Sequence, residues 1–228
     1  MENLASLFQK SGGEFHTPAT EIAQKLQQVS AFIFDWDGVF NSGMKADQVT
    51  PGFSEIDSMG INLMRYGYWL KTGTIPLVAI ITGQENEAAF FIAEREHFNN
   101  VFYLYKDKKE AFKRFYSSHG ITPEECVMVF DDVLDLSVAK HAGLRFMIGR
   151  NANPLLNEFV IKNNYADYIS GNDCMNFGVR EVCELIMGLH GFYDEVVTNR
   201  LEYAVSYQNY FMKRNNLKTY FQKAGQFN

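Results

Sequence analysis

Five short, almost uninterrupted apolar runs punctuate this chain: Ala31 to Asp35, Leu77 to Ile81, Val101 to Tyr105, Cys126 to Phe130 and Leu144 to Ile148. Runs of this length without polar alternation read as strands buried on both faces. Between them apolar residues recur at helical spacing. Ile61, Leu63, Met64, Tyr68 and Leu70 mark a helix that stops at Thr72-Gly73, a second spans roughly 85 to 97, and a third follows Lys106-Asp107-Lys108-Lys109 through His119. Such regular alternation predicts an α/β fold, a Rossmann-like three-layer parallel sheet with helices on both faces. At 228 residues, 46% hydrophobic and 21% charged, the chain can bury one core of this kind.

The flanking segments carry weaker patterns. Residues 1 to 16 are polar, contain Gly12-Gly13 and read as a loose arm. Thr17-Pro18 then supplies an N-cap and a proline at the first helical position, and Ile22, Ala23, Leu26 and Val29 continue a helix over about 18 to 29. Residues 40 to 57 differ, because Asn41, Ser42, Gly43, Pro51, Gly52 and Ser54 interrupt short apolar pairs. They predict a small β-hairpin flap directly after the first strand. From Gly191 onward, Val197, Leu201, Ala204, Val205 and Phe211 predict a C-terminal helical extension over 191 to 228. It lies either on its own domain, with a frayed end, or against a neighbouring subunit.

In a parallel sheet, ligands gather beyond the carboxyl ends of the strands. The first four runs here end in Asp35-Trp36-Asp37-Gly38, in Thr82-Gly83, in the lysine cluster, and in Asp131-Asp132 with Asp135 one helical turn further. Strand alternation points Asp35 and Asp37 to one side, where their repulsion favours a bound cation. Each piece also has a plain explanation: a solvated acidic turn, a helix cap at Thr82, a solvated lysine face, an acidic N-cap at Asp131-Asp132. Falling together on one sheet edge, they make a phosphoryl-transfer site. Magnesium prefers oxygen ligands, so Asp35, Asp131 and a backbone carbonyl at Asp37 form the expected metal site. Asp35 is the expected nucleophile, forming an aspartyl-phosphate, and Asp37 the general acid and then base. Thr82 and Gly83 would contact the phosphoryl oxygens, a lysine would supply counter-charge, and Asp135 would hold that lysine.

Asp35-Trp36-Asp37-Gly38-Val39, Ile81-Thr82-Gly83, Lys108 and Asp131-Asp132-x-x-Asp135 resemble the four motifs of the haloacid dehalogenase superfamily of phosphatases. The similarity covers roughly Ala31 to Leu189 and is closest to the 3-deoxy-D-manno-octulosonate 8-phosphate phosphatase group. It includes Asp57 and Gly60 within Phe53 to Ile61, the Ala139 to Gly143 turn, Asn151-Ala152-x-Pro154, Ala166-Asp167-Tyr168 and Val179-Arg180-Glu181-Val182-Cys183. The resemblance, through the distance to Phe112 and Pro123 seen in the family, implies Lys108 rather than Lys106, with Lys109 the alternative one residue away. The resemblance implies a phosphatase that uses Mg2+ on a small sugar or sugar-acid phosphate, such as 3-deoxy-D-manno-octulosonate 8-phosphate. It also implies a homotetramer to whose interface the flap contributes.

Spacing adds its own argument. Only 45 positions separate Asp37 from Thr82 and 23 separate Lys108 from Asp131. An inserted cap domain would need a core of about 50 residues or more, so residues 1 to 190 read as one capless catalytic domain. A phosphomutase, which needs a cap to retain its intermediate, is disfavoured. Departures from the family pattern are specific: Phe130 stands where glycine is usual and is expected to crowd the loop beside the metal. Gln84 and Ile56 replace arginines, and Cys174-Met175-Asn176-Phe177 replaces a glycine-rich turn. These keep a second reading open, a catalytically weak or inactive binding or regulatory protein on the same scaffold. Retention of both Asp35 and Asp37, a repelling pair without purpose in a retired enzyme, favours catalysis.

The formal net charge of -6 argues against nucleic-acid or anionic-membrane surfaces. No apolar run approaches the roughly 18 residues of a membrane span, and the first residues lack a basic region followed by an apolar core. Cys126, Cys174 and Cys183 have no metal-ligand spacing and read as free thiols in a reducing compartment, so the expected location is cytoplasmic. The five histidines form no ligand cluster.

Overall fold

The computed structural model of the protein describes residues 2–45 and 51–226. Its elements in chain order are α1 (Glu2–Lys10), β1 (Glu14–Phe15), α2 (Ala19–Leu26), β2 (Ala31–Phe34), α3 (Glu55–Thr72), β3 (Leu77–Ile81), α4 (Glu87–Arg95), β4 (Asn100–Tyr103), α5 (Lys108–His119), β5 (Cys126–Phe130), α6 (Leu136–Ala139), β6 (Leu144–Met147), α7 (Pro154–Lys162), β7 (Tyr168–Ile169), α8 (Gly178–His190), α9 (Tyr193–Leu201), α10 (Val205–Asn215) and β8 (Tyr220–Lys223). The strands join in one sheet of order β1-β7-β6-β5-β2-β3-β4-β8. All neighbours run parallel except β1, which is antiparallel to β7.

β2 occupies the centre, with Ala31 to Phe34 in register with Leu77 to Ile80 on one side and Cys126 to Val129 on the other. From β2 the chain winds outward through β3 and β4, then crosses back to β5 and winds the opposite way. The strand order therefore reverses at β2, the place where parallel α/β sheets bind ligands. Alternate residues of each strand feed opposite cores. Phe32, Phe34, Val78, Ile80, Val127 and Val129 pack with α2, α3, α4, α8 and α10. On the other face Ala31, Ile33, Ala79, Ile81, Met128 and Phe130 pack with α5, α6 and α7.

Helix α3 begins at Ser54, whose hydroxyl accepts from Ile56 N at 3.0 Å, and ends at Gly73 with φ 74°. Its first turn docks on α8: Asp57 Oδ1 accepts from Arg180 N at 2.8 Å. A Cβ on Gly60 would lie 2.9 Å from Arg180 Cδ and 3.3 Å from Arg180 Cα, so the two helices approach as closely as they do because residue 60 has no side chain.

Three sequence expectations need correction. The amino-terminal arm is ordered as α1 and β1, and β1 pairs with β7 to close one sheet edge. The pattern was weak because the strand is two residues long and α1 buries only Phe8. In the flap, the described part of 40–57 shows a single bridge between Asp37 and Asn41, no strand in 42–45 or 51–54, and the first turn of α3 from Glu55. Residues 46–50 of the expected hairpin lie outside the described residues. The extension is not purely helical, because after α9 and α10 it adds β8 parallel to β4. It lies on its own domain: Arg214 Nη1 donates to Glu96 Oε2 at 2.6 Å and to Asn62 Oδ1 at 3.0 Å, and Tyr210 Oη bonds Asn62 Oδ1 at 3.1 Å.

Cys126, Cys174 and Cys183 are free and buried. Among the described residues no helix is long and apolar enough to cross a membrane.

Candidate active site

The β2 ladder continues one residue past the strand, with Asp35 N donating to Val129 O at 3.0 Å. The chain then turns sharply. Gly38, at φ 88°, donates to Asn41 O at 2.9 Å, and Phe40 N returns to Trp36 O at 3.0 Å. Trp36 is buried and stacks on Phe40 at 5.1 Å, while Asp35 and Asp37 face a cavity of about 850 Å³. A Cβ on Gly38 would stand 2.0 Å from Asp131 Oδ2, so glycine here serves both the left-handed turn and the close approach of β5's tip.

Lys108, the first residue of α5, lies between two acids. Its Nζ donates to Asp35 Oδ1 and to Asp135 Oδ1, each at 2.5 Å. Asp107 caps the same helix by accepting from Lys109 N at 3.1 Å, which leaves Lys109 exposed on the surface. Lys106 is exposed as well, on the cavity wall. Geometry thus singles out Lys108 from its neighbours. Asp135 is fixed a second time, accepting from Asp132 N at 3.3 Å.

Asp35, Asp131 and Asp135 each present a carboxylate oxygen within 4.8 Å of the others, all three residues buried. Burial first, then the charge of Asp135, pushes the Asp35 carboxyl well above its ordinary value, with Lys108 opposing. The same causes raise Asp131 to about 7, with Arg150 opposing. Burial disfavours the Lys108 ammonium, but Asp35 and Asp135 outweigh it and raise its pKa. Asp131 Oδ1 is buried without a hydrogen-bond partner. Clustered oxygen donors of excess negative charge, one of them unsatisfied, suit a hard divalent cation.

Of the expected metal set, Asp35, Asp131 and the main-chain carbonyl of Asp37, the two carboxylates lie in this cluster. The Asp37 carboxylate stands outside the cluster, because after the turn at Gly38 both its oxygens accept from Lys45 Nζ at 2.7 Å. This placement is compatible with the expected main-chain carbonyl at Asp37, and the third clustered carboxylate is Asp135. Thr82 and Gly83 line the cavity from the end of β3. Thr82 Oγ1 accepts from Asn86 Nδ2 at 3.1 Å and from Gln84 N at 3.3 Å, which leaves its O–H to donate elsewhere. Phe130 does not crowd the loop: it is fully buried in the core against α5, α6 and α7 and takes no part in lining the cavity.

Sequence reading overlooked Arg150, Lys45 and Asn86. Arg150 follows the fifth apolar run, a strand end of the same kind as the four that carry the acids, Thr82 and the lysines. Lys45 and Asn86 carry no pattern that marks them. Arg150 Nη2 donates to Asp131 Oδ2 at 2.6 Å.

No protein-family model matches the chain. The 3-deoxy-D-manno-octulosonate 8-phosphate phosphatase of Salmonella typhi is 30% identical over 183 residues, covering 78% of this chain and 89% of that protein. The Escherichia coli (strain K12) enzyme of the same name is 29% identical over 183 residues with the same coverage, 78% and 89%. Among solved structures, the 3-deoxy-D-manno-octulosonate 8-phosphate phosphatase of Moraxella catarrhalis, in complex with magnesium ion, phosphate ion and KDO molecule, gives a TM-score of 0.65 at 25% identity. The match covers 79% of this chain and 98% of that one.

Proposed function

Because the chain belongs to the 3-deoxy-D-manno-octulosonate 8-phosphate phosphatase group of the haloacid dehalogenase superfamily, we propose that it hydrolyses a sugar-acid phosphate through an aspartyl-phosphate. The enzyme is a phosphatase. The observation that carries this reading is Lys108 bridging Asp35 and Asp135 at 2.5 Å, within a buried acid cluster that includes Asp131.

Asp35 is the nucleophile. Its carboxylate attacks phosphorus, the ester oxygen leaves with a proton from Asp37, and Asp37 then takes a proton from the water that opens the acyl phosphate. Burial makes the Asp35 anion costly, and the Lys108 ammonium offsets that cost while Asp135 keeps the lysine in place. Thr82 donates its hydroxyl to a phosphoryl oxygen, with Gly83 beside it on the cavity wall. Asp35, Asp131 and the Asp37 carbonyl would hold magnesium, which when bound would supply positive charge to the attacking carboxylate and the phosphoryl oxygens. Lys45 holds the Asp37 carboxylate by both oxygens and so fixes its direction. A site this open, with no cap domain among the described residues, fits a homotetramer in which neighbouring chains cover it.

The alternative, a regulatory protein on the same scaffold, drew on Phe130 and on the altered substrate loops. With Phe130 in the core, its first support is gone, and Gln84 on the cavity wall bears on which substrate binds rather than on whether catalysis occurs. Release of phosphate from an aryl phosphate with magnesium, compared between wild type and Asp35→Asn, tests the mechanism. A panel of phosphorylated sugars and sugar acids, including the octulosonate 8-phosphate and sialic-acid-type 9-phosphates, tests the substrate. No metal-dependent turnover on any of them would sink the enzyme reading.

A further inference from the structure

Among the described residues, Lys106 and Arg150 are cations of the cavity wall without a role so far, and Arg150 touches the acid whose other oxygen is unsatisfied. Ile148 N donates to Phe130 O at 2.7 Å, so the ladder between β5 and β6 persists one residue past β6, and Gly149 N is tied to Ser170 Oγ at 2.9 Å. Those two bonds deliver Arg150 beside Asp131. There Nη2 meets Oδ2 at 2.6 Å, while Oδ1 of the same carboxylate is buried and unpartnered. The space for this contact comes from Gly38, since a Cβ there would fall 2.0 Å from Asp131 Oδ2 and 2.6 Å from Arg150 Nη2. Three elements therefore converge on one ion pair.

We propose that Arg150 is a positioning residue for the metal site, holding Asp131 by one oxygen so that the other is presented to a divalent cation. This inference rests on the phosphatase reading and concerns how the site binds its metal. Two physical effects support it. Asp131 lies within 4.8 Å of two other carboxylates, and without a counter-charge their repulsion would turn its side chain away. A carboxylate also rotates freely about its last bond, and a guanidinium hydrogen bond fixes the oxygen that remains for the metal. A competing effect has the opposite sign: a guanidinium close to a dication repels it. The direction of the change in metal affinity decides between them.

The measurement is calorimetric titration of wild type, Arg150→Gln and Arg150→Lys with magnesium chloride and with manganese chloride alone. Loss of a group that orients a metal ligand lowers affinity by about 10- to 100-fold, so Arg150→Gln is expected to bind each ion at least about tenfold more weakly. Arg150→Lys, which keeps the charge but not the planar fork, should recover part of that loss. The Arg150 side chain is 31% exposed, so the melting temperature of metal-free protein should hold in both variants. Most of kcat should return at saturating magnesium, which a general structural lesion would not allow. Unchanged or tighter metal binding in Arg150→Gln, with wild type binding normally, overturns the inference and leaves the phosphatase reading standing. Absence of metal binding by wild type and variants alike overturns both.

Discussion

Replacing Asp57 by asparagine measures what a buried carboxylate costs this fold. Asp57 lies in the first turn of α3 with no exposed surface; Oδ1 accepts from Arg180 N at 2.8 Å, and Oδ2 is buried without a partner. Burial pushes its pKa from 3.8 to about 6, against the opposing pull of the Arg180 amide and charge. Because the folded value lies above the unfolded one, native protein binds more protons than unfolded protein between those values. Stability is therefore highest at low pH and declines as pH rises towards about 6, becoming flat above. A shift of about two units corresponds to about 3 kcal/mol in total, at about 1.4 kcal/mol per unit. Roughly half, about 1.4 kcal/mol, falls between pH 5 and 8, because at pH 5 the unfolded carboxyl is already ionised and the native one mostly protonated. Asparagine keeps an acceptor for Arg180 N and does not titrate. Urea unfolding of both proteins at pH 5 and pH 8, with chelator present, gives four free energies whose double difference cancels the other titrating groups. Wild type should lose about 1.4 kcal/mol more than Asp57→Asn over that interval. Parallel pH dependence would refute the reasoning and would mean that the amino-terminal dipole of α8 offsets the cost of burial.

Other consequences follow from the same geometry. Gly38→Ala forces a side chain into both the left-handed turn and the Asp131–Arg150 contact; calorimetry should show loss of magnesium binding, and melting a destabilisation of about 2 kcal/mol or more. Arg214→Met leaves the buried Glu96 Oε2 without its arginine and Asn62 Oδ1 with one donor fewer, which should cost about 3 kcal/mol in urea unfolding and make 191–226 the first segment cleaved by limited proteolysis. Light scattering should report a homotetramer, and a monomer at micromolar concentration would contradict the flap's proposed part in the interface.

The five central strands were legible because each is an apolar run fed to cores on both faces, and such runs leave little choice of structure. Leu77–Ile81 and Cys126–Phe130 fall on their expected residues. Elements at the sheet edges were not legible. β1 and β8 are two and four residues long and half exposed, so no alternation or apolar run marks them. In the site, Asp35, Asp37, Thr82, Lys108, Asp131 and Asp135 could be read because they end strands or begin helices at fixed offsets, and the structure gathers all six at one cavity. What no pattern revealed was pairing. That Lys45 holds Asp37, and that Asp135 joins Asp35 and Asp131 in the acid cluster, depends on where the chain goes after Gly38 and on how α5 meets β5.

Buried acids in this protein divide by how fully their oxygens are satisfied, and the division follows their roles. Asp167 accepts from Thr17 Oγ1 at 2.6 Å, from Arg145 N and Nε at 2.8 Å and from Arg145 Nη2 at 2.9 Å. Glu181 accepts from Tyr168 Oη, Gly171 N, Asn172 N and Asn172 Nδ2 at 2.5 to 2.9 Å. Both residues belong to the wider family resemblance, yet their oxygens are committed to tying α2, β6, β7 and α8 together, and nothing is left for a ligand. Asp131 keeps one buried oxygen free at a cavity wall beside two more carboxylates, an arrangement suited to a divalent cation. Asp57 shows that an unpartnered oxygen alone is insufficient, since it takes no part in lining this cavity and its burial at the helix contact raises its pKa. A free oxygen signals chemistry here only where a cavity and a second acid accompany it, and that conjunction selects the tip of β2 and β5.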